Sequence, residues 1–158
     1  MKIQSLLIGL VIGAILGYCG AKFFTTATTT QTDVATTNHK DTTGWTWPDS
    51  LDAIKAAPLS HTILYEDDSV RILNVTVLPG QTEPIHAHRW RSVAWAVHST
   101  PFTLFHYGLD NKNKLVKQDS FNAVLPINIA NKWAPEFPHS IRNTGNDTLV
   151  LYRVELKQ

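Results

Sequence analysis

The chain of 158 residues contains one cysteine, Cys19. With no second thiol an intramolecular disulfide is excluded, and cysteine usage says nothing about the redox compartment. The net formal charge is only +1, so the overall field gives no case for a nucleic-acid partner. There is no glycine-rich phosphate loop and no serine nucleophile elbow, and no thiol lies outside the N-terminal apolar stretch. The common phosphate-cradling and covalent hydrolase designs are therefore missing. No pair of acidic residues stands out as a glycosidase couple, and no internal repeat is visible.

What is present begins with a long apolar run. Lys2 is followed by an uncharged stretch from Ile3 to Ala21, and then by Lys22. As a helix this run spans roughly 28 Å, close to a hydrocarbon core of about 30 Å. Residues 1–24 are read as a transmembrane anchor or signal helix. A retained anchor fits the length. A signal peptide fits the basic start and the small residues Ala21 and Ala27. Leu16-Gly17-Tyr18-Cys19 faintly resembles a lipobox, with the bulky Tyr18 speaking against it. All three readings favour export. The rest of the chain is expected on the periplasmic or extracellular side, held to the membrane through residues 3–21 or secreted after cleavage. Residues 25–44 are rich in threonine and have no apolar period. They read as a disordered linker with a reach of roughly 25 Å. His39 lies in it and reads as a surface residue.

From Trp45 the texture changes, and residues 45–158 read as one domain. Asp49 or Ser50 can cap a short helix over Leu51 to Ala57, ended by Pro58. Strand signals follow: Thr62 to Tyr65, Val70 to Leu78, Ser92 to Val97, Phe102 to Tyr107, Leu115 to Gln118, Ala123 to Ile129 and Thr148 to Lys157. Turn signals separate them at Glu66-Asp67-Asp68, Pro79-Gly80 and Asp110-Asn111-Lys112-Asn113. Many short strands and little helix predict an all-β sandwich or barrel.

The residues with chemistry lie at two places. In Gly80-Gln-Thr-Glu-Pro-Ile-His86-Ala-His88, a strand puts both imidazoles on one face. Such a pair suits a metal that takes nitrogen ligands. Farther on stands Pro138-His139-Ser-Ile-Arg-Asn143. These two stretches resemble the first and second motifs of the cupin superfamily. More closely, Leu51 to Lys157 resembles small single-domain cupins linked to β-alanine breakdown. The matching pieces are Glu66 to Leu73, Pro79-Gly80, His88 to Val93, Trp133-Ala-Pro135, Pro138-His-Ser140, Asn143-Thr-Gly145 and Val154-Glu-Leu156. The resemblance implies a single jelly-roll antiparallel β-barrel with His86, His88 and His139 in its mouth. It further implies a homodimer paired through the outer sheet.

There are departures from that pattern. The glutamate expected four or five residues after the second histidine is replaced by Ser92 and Val93. The glycines of the second motif are absent, and Glu136 holds one of their places. The ligand set is thereby reduced to His86, His88 and His139. Three neutral histidines still suit a divalent Fe, Mn, Ni or Zn ion, with water or substrate completing it. The set also resembles the three-histidine iron site of thiol dioxygenase cupins. Arg89, Arg91, Ser92 and Trp133 are the candidate substrate-binding residues, with the two arginines placed to attract a carboxylate. The alternative for the arginines is two solvated rim residues. Trp133 and Phe137 are expected to wall the mouth near His139, with ordinary core packing the alternative. His61, His98 and His106 read as structural or surface residues. Ser92, Ala94 and Ala96 share one strand face, and Trp95 lies on the other. Small residues inward leave a cavity; Trp95 inward fills it. Two functions follow. One is a metal-dependent cupin enzyme, such as a dioxygenase, acting on a small carboxylate or thiol. The other is a metal-free module that binds a small ligand or serves as an anchored accessory domain.

Overall fold

The computed structural model describes residues 45–157. The expected anchor or signal helix and the expected linker lie outside the described residues. Among the described residues, no helix is long and apolar enough to cross a membrane.

The chain enters through a 3-10 turn, Asp49–Leu51, and a short helix α1, Ala53–Ala56. This corrects the expected helix of residues 51–57 capped by Asp49 or Ser50. The amide of Leu51 bonds the carbonyl of Pro48 at 2.9 Å, so the tighter turn consumes Asp49 to Leu51. The cap falls to Asp52, whose carboxylate accepts from the Ile54 amide at 3.2 Å.

Nine strands follow among the described residues: β1 His61–Glu66, β2 Val70–Val77, β3 His86–His88, β4 Ser92–His98, β5 Phe102–Leu109, β6 Leu115–Ala123, β7 Asn131–Trp133, β8 Glu136–Asn143 and β9 Leu149–Leu156. They form two sheets, ordered β1-β2-β9-β4-β7 and β3-β8-β5-β6, with every strand pair antiparallel. The all-β expectation is met. One boundary is corrected: residues 115–118 and 123–129 do not form two strands. β6 runs unbroken through the polar Lys117-Gln-Asp-Ser because β5 pairs with it from Phe102 to Leu109, with one register shift between His106 and Tyr107 that leaves Gln118 unpaired in the ladder. Beyond Ala123 only an isolated bridge between Ile127 and Ala96 remains.

Alternation places the faces. On β2, Arg71, Leu73, Val75 and Val77 point inward. On β4, Ser92, Ala94 and Ala96 point inward, while Trp95 faces out and meets Tyr152 at 5.8 Å between rings. The small inward residues leave the space between the sheets open. The apolar core gathers Val77, Phe102, Leu104 and Leu149. Burying each such side chain contributes about 1.5–3 kcal/mol. Register pairs Val77 with Leu149 at this end, and Arg71 with Glu155 at the other. The interior therefore turns from apolar to polar along the strands.

Asn143, fully buried, clips the apolar end together. Its Nδ2 donates to the carbonyls of Val77 at 2.8 Å and Asp147 at 2.7 Å, and its Oδ1 accepts from the Gly145 amide at 3.0 Å.

Candidate metal centre

His86 on β3 lies opposite His139 on β8, with ring centroids 4.4 Å apart. The two are held alike. Nδ1 of His86 donates to the carbonyl of Pro84 at 2.9 Å, and Nδ1 of His139 to that of Phe137 at 2.9 Å. A carbonyl can only accept, so Nδ1 carries the proton and Nε2 keeps its lone pair. His88 stands 5.3 Å from His86 and 5.5 Å from His139 by ring centroid. Its Nδ1 meets Oε1 of Glu155, on β9, at 2.6 Å. The structure thus brings His86, His88 and His139 together, all three buried.

A fourth imidazole was not anticipated. His61, read from sequence as a structural or surface residue, is buried with its ring 4.5 Å from His86 and 5.3 Å from His88. The end of α1 puts it there. The amides of Ser60 and His61 both bond the carbonyl of Ala57 at 3.0 Å, turning the chain back toward the interior. The rest of β1 is exposed, so no alternation marked His61 out.

Carboxylates approach from unexpected places. Ser92 is buried but brings no acid, and Val93 lies on the opposite strand face. Glu136, the residue standing in place of a motif glycine, reaches the centre instead. Its ligand atom and those of His88 and His139 lie within 4.8 Å of one another, as do those of His61, His86 and His88. Glu136 is tightly ion-paired with Arg153 on β9. Behind His88, Glu155 is 3.3 Å from Arg71, which also binds Asp52 at 3.0 Å and Glu66 at 3.0 Å under the ring of Trp90. Glu83 is buried and faces Nδ1 of His61 at 3.8 Å.

Desolvation dominates the titration of these groups. Burial, reinforced by neighbouring positive groups, holds His61, His86 and His88 well below the usual imidazole value. Burial brings His139 down to about 3. Burial likewise pushes the Glu83 carboxyl up to about 8 and that of Glu155 to about 7, the latter against the pull of Arg153 and Arg71. Neutral imidazole is the form that binds a metal.

The histidines line one side of a cavity of about 130 Å³ between the sheets. Apart from the charged or acidic groups of Glu83, Glu136 and Arg153, the rest of its lining is apolar, among it Val75, Ala94, Phe102, Leu104 and Leu151, with Trp133 at the β7 side. Three of the expected substrate contacts lie elsewhere. Arg91 is exposed, and Ser92 is buried on the inward face of β4 without lining the cavity. Arg89 is ion-paired with Asp49 and lies over Trp45 and Trp90, at 5.7 Å and 5.8 Å from the ring centroids. The guanidinium that does reach the cavity is that of Arg153. Trp133 walls this cavity, whereas Phe137, 67% exposed, lines a second pocket that also reaches His139 and Glu136. His98 is exposed, and His106 bonds Asp119 at 2.7 Å on the surface, as expected of non-ligands.

No protein-family model matches the sequence, and no curated protein matches it significantly. Solved structures do. A cupin domain from Bordetella pertussis Tohama I superposes with a TM-score of 0.50 at 16% identity, over 62% of this chain and 92% of that one. An RmlC-like cupin family protein with a double-stranded β-helix fold, from Methanocaldococcus jannaschii, gives a TM-score of 0.44 at 17% identity, over 61% and 77% of the two chains. At such identity the likeness concerns the fold, not the activity. The described residues have an all-β, cupin-like fold of antiparallel sheets, with a histidine cluster in its interior.

Proposed function

We propose that this protein is a membrane-tethered, cupin-like domain that binds a divalent metal ion through buried histidines and a small organic molecule beside it. One observation carries the reading: His86, His88 and His139 are buried together with each Nδ1 committed to an oxygen, and the same residues line the cavity. This is the donor set that iron, nickel or zinc takes, and Glu136 adds an oxygen of the kind manganese favours. When bound, such an ion would polarise a donor atom of the ligand. The chain itself supplies the rest. A cavity of about 130 Å³ compares with the apolar cavities of about 150 Å³ that admit benzene. It suits a body of roughly six heavy atoms with one polar end. Arg153 supplies the positive charge for a small carboxylate, the class that the resemblance to β-alanine-linked cupins implies.

Arg153 also favours a second reading, a metal-free ligand-binding module, because a buried guanidinium among the histidines competes with a cation. Elemental analysis of the purified full-length protein separates the two. About one equivalent of metal, lost in His86→Ala, His88→Ala and His139→Ala, is expected. A stably folded protein that carries no metal and cannot be loaded would overturn the metal reading.

The tether rests on the apolar run of residues 3–21 and is tested by membrane fractionation; a soluble, shortened product would show cleavage instead. The expected homodimer has a surface available in β1, an edge strand exposing Ile63, Leu64 and Tyr65. Light scattering reads the oligomeric state.

A further inference from the structure

Resting on the metal reading above, we propose that His61 is a further ligand of the ion, replacing by nitrogen the carboxylate that Ser92 and Val93 cannot supply. Its ligand atom lies within 4.8 Å of those of His86 and His88. Two nitrogens on one tetrahedral ion stand about 3.4 Å apart. Closing on an ion therefore needs side-chain movements of about an ångström, not a rearrangement of the barrel.

The way His61 is held matches the other three histidines. Its Nδ1 donates to the carbonyl of Ala57 at 3.4 Å and faces the buried carboxyl of Glu83 at 3.8 Å. The rest are anchored through Nδ1 on Pro84, Glu155 and Phe137. Among the described residues no hydrogen bond is made to Nε2 of any of the four. A buried histidine that serves packing alone is expected to satisfy both nitrogens. Four that each place Nδ1 by an oxygen, with the ligand atoms of His61, His86 and His88 within 4.8 Å of one another and the His139 ring 4.4 Å from that of His86, are arranged as ligands with their outer hydrogen bonds in place.

Glu136 is the rival for the place. It belongs to the second set, with His88 and His139. The buried guanidinium of Arg153 already neutralises it, so a cation there would have to displace a cation. His61 is not ion-paired with Arg153; the group behind it is the acid Glu83. An all-imidazole set adds no negative charge to the ion. A fifth donor, taken up by expansion from four-coordination, would then be favoured if anionic, in keeping with a carboxylate ligand.

The experiment uses the full-length protein loaded with Co²⁺ or Zn²⁺. X-ray absorption on the wild type counts imidazoles without any variant; four are expected, and three would overturn the proposal. His61→Gln keeps most of the volume and the hydrogen-bonding capacity. It is expected to weaken Zn²⁺ affinity at least tenfold in chelator competition and to change the visible spectrum of bound Co²⁺, with melting checked by circular dichroism. A folded His61→Gln protein with wild-type affinity and spectrum would overturn the proposal, as would a loss confined to Glu136→Gln. A wild type that binds neither ion sinks the metal reading itself, whereas an unchanged His61→Gln beside a failing His86→Gln sinks only the role of His61.

Discussion

Glu155 Oε1 lies 2.6 Å from Nδ1 of His88, and the two residues are 67 positions apart in the chain. The contact joins the second sheet, through β3, to the first, through β9. It is also the inner end of a charged series that continues through Arg71 to Asp52, the cap of α1. A carboxylate behind a ligating imidazole fixes its tautomer and raises its basicity. Glu155→Gln is therefore expected to weaken metal binding by about 10- to 100-fold while the protein stays folded. Chelator competition measures the first and thermal melting the second. Unchanged affinity would show that the pair serves the fold alone.

The cavity and the ion are separable. Ala94 lines the cavity on β4, on the sheet opposite His86 and His139. Ala94→Leu should fill space without touching a ligand. Binding of benzoate, a probe with an apolar ring and one carboxylate, is expected to be lost in calorimetry. Metal content should match that of the wild type. Retained benzoate binding would place the ligand site outside this cavity.

Gly145 is needed for close approach. A β-carbon there would stand 1.8 Å from Oγ1 of Thr100 and 2.9 Å from Cδ of Pro101. Gly145→Ala should destabilise the domain by about 2 kcal/mol, the usual scale of overpacking. Adding Thr100→Ala removes the nearer clash and should restore part of the loss, read as a rise in Tm relative to the single variant. A single variant that melts like the wild type would contradict the contact.

The β1–β2 turn predicts an acid limb. Asp67 Oδ1 accepts from the amides of Ser69 at 2.7 Å and Val70 at 2.8 Å, and Oδ2 from the Tyr65 hydroxyl at 2.9 Å. These bonds, the Ser69 amide first, hold its carboxyl below the ordinary range. A lowered folded value means stability that is present above about pH 4 and is lost as pH falls through that value. Asp67→Asn should melt below the wild type at neutral pH, and the two curves should converge toward about pH 2. A difference that does not change between these limits would rule the linkage out.

Much of this was legible in the chain. Alternation in Val70 to Leu78 and Ser92 to Val97 set out the faces of β2 and β4, and turn chemistry at Asp110 and Gly80 ended strands. Asn113 and Gly80 indeed adopt positive φ, 57° and 73°. His86 and His88 stood out because local spacing marks a pair on one face, and His139 because the stretch around it resembles the second cupin motif. β9 was only half legible. Its pattern separated Arg153 and Glu155 from Tyr152 and Val154, and hydropathy would send the charged face to water. The structure buries it instead, because Arg71, Glu136 and His88 sit opposite and compensate those charges.

The sequence by itself determined the strand-rich class, which residues of β2 and β4 share a face, and the placing of His86 beside His88, since these follow from periodicity and short-range spacing; that His139 joins them was what the resemblance to the cupin motifs implied. Only the tertiary structure decided that His61 completes the cluster, that Glu136 and Glu155 supply its carboxylates, and that Arg153 rather than Arg89 or Arg91 reaches the cavity. Each of these is a meeting of residues distant in the chain, fixed by strand register and by the mutual compensation of buried charges. Neither leaves a trace in any local window of sequence.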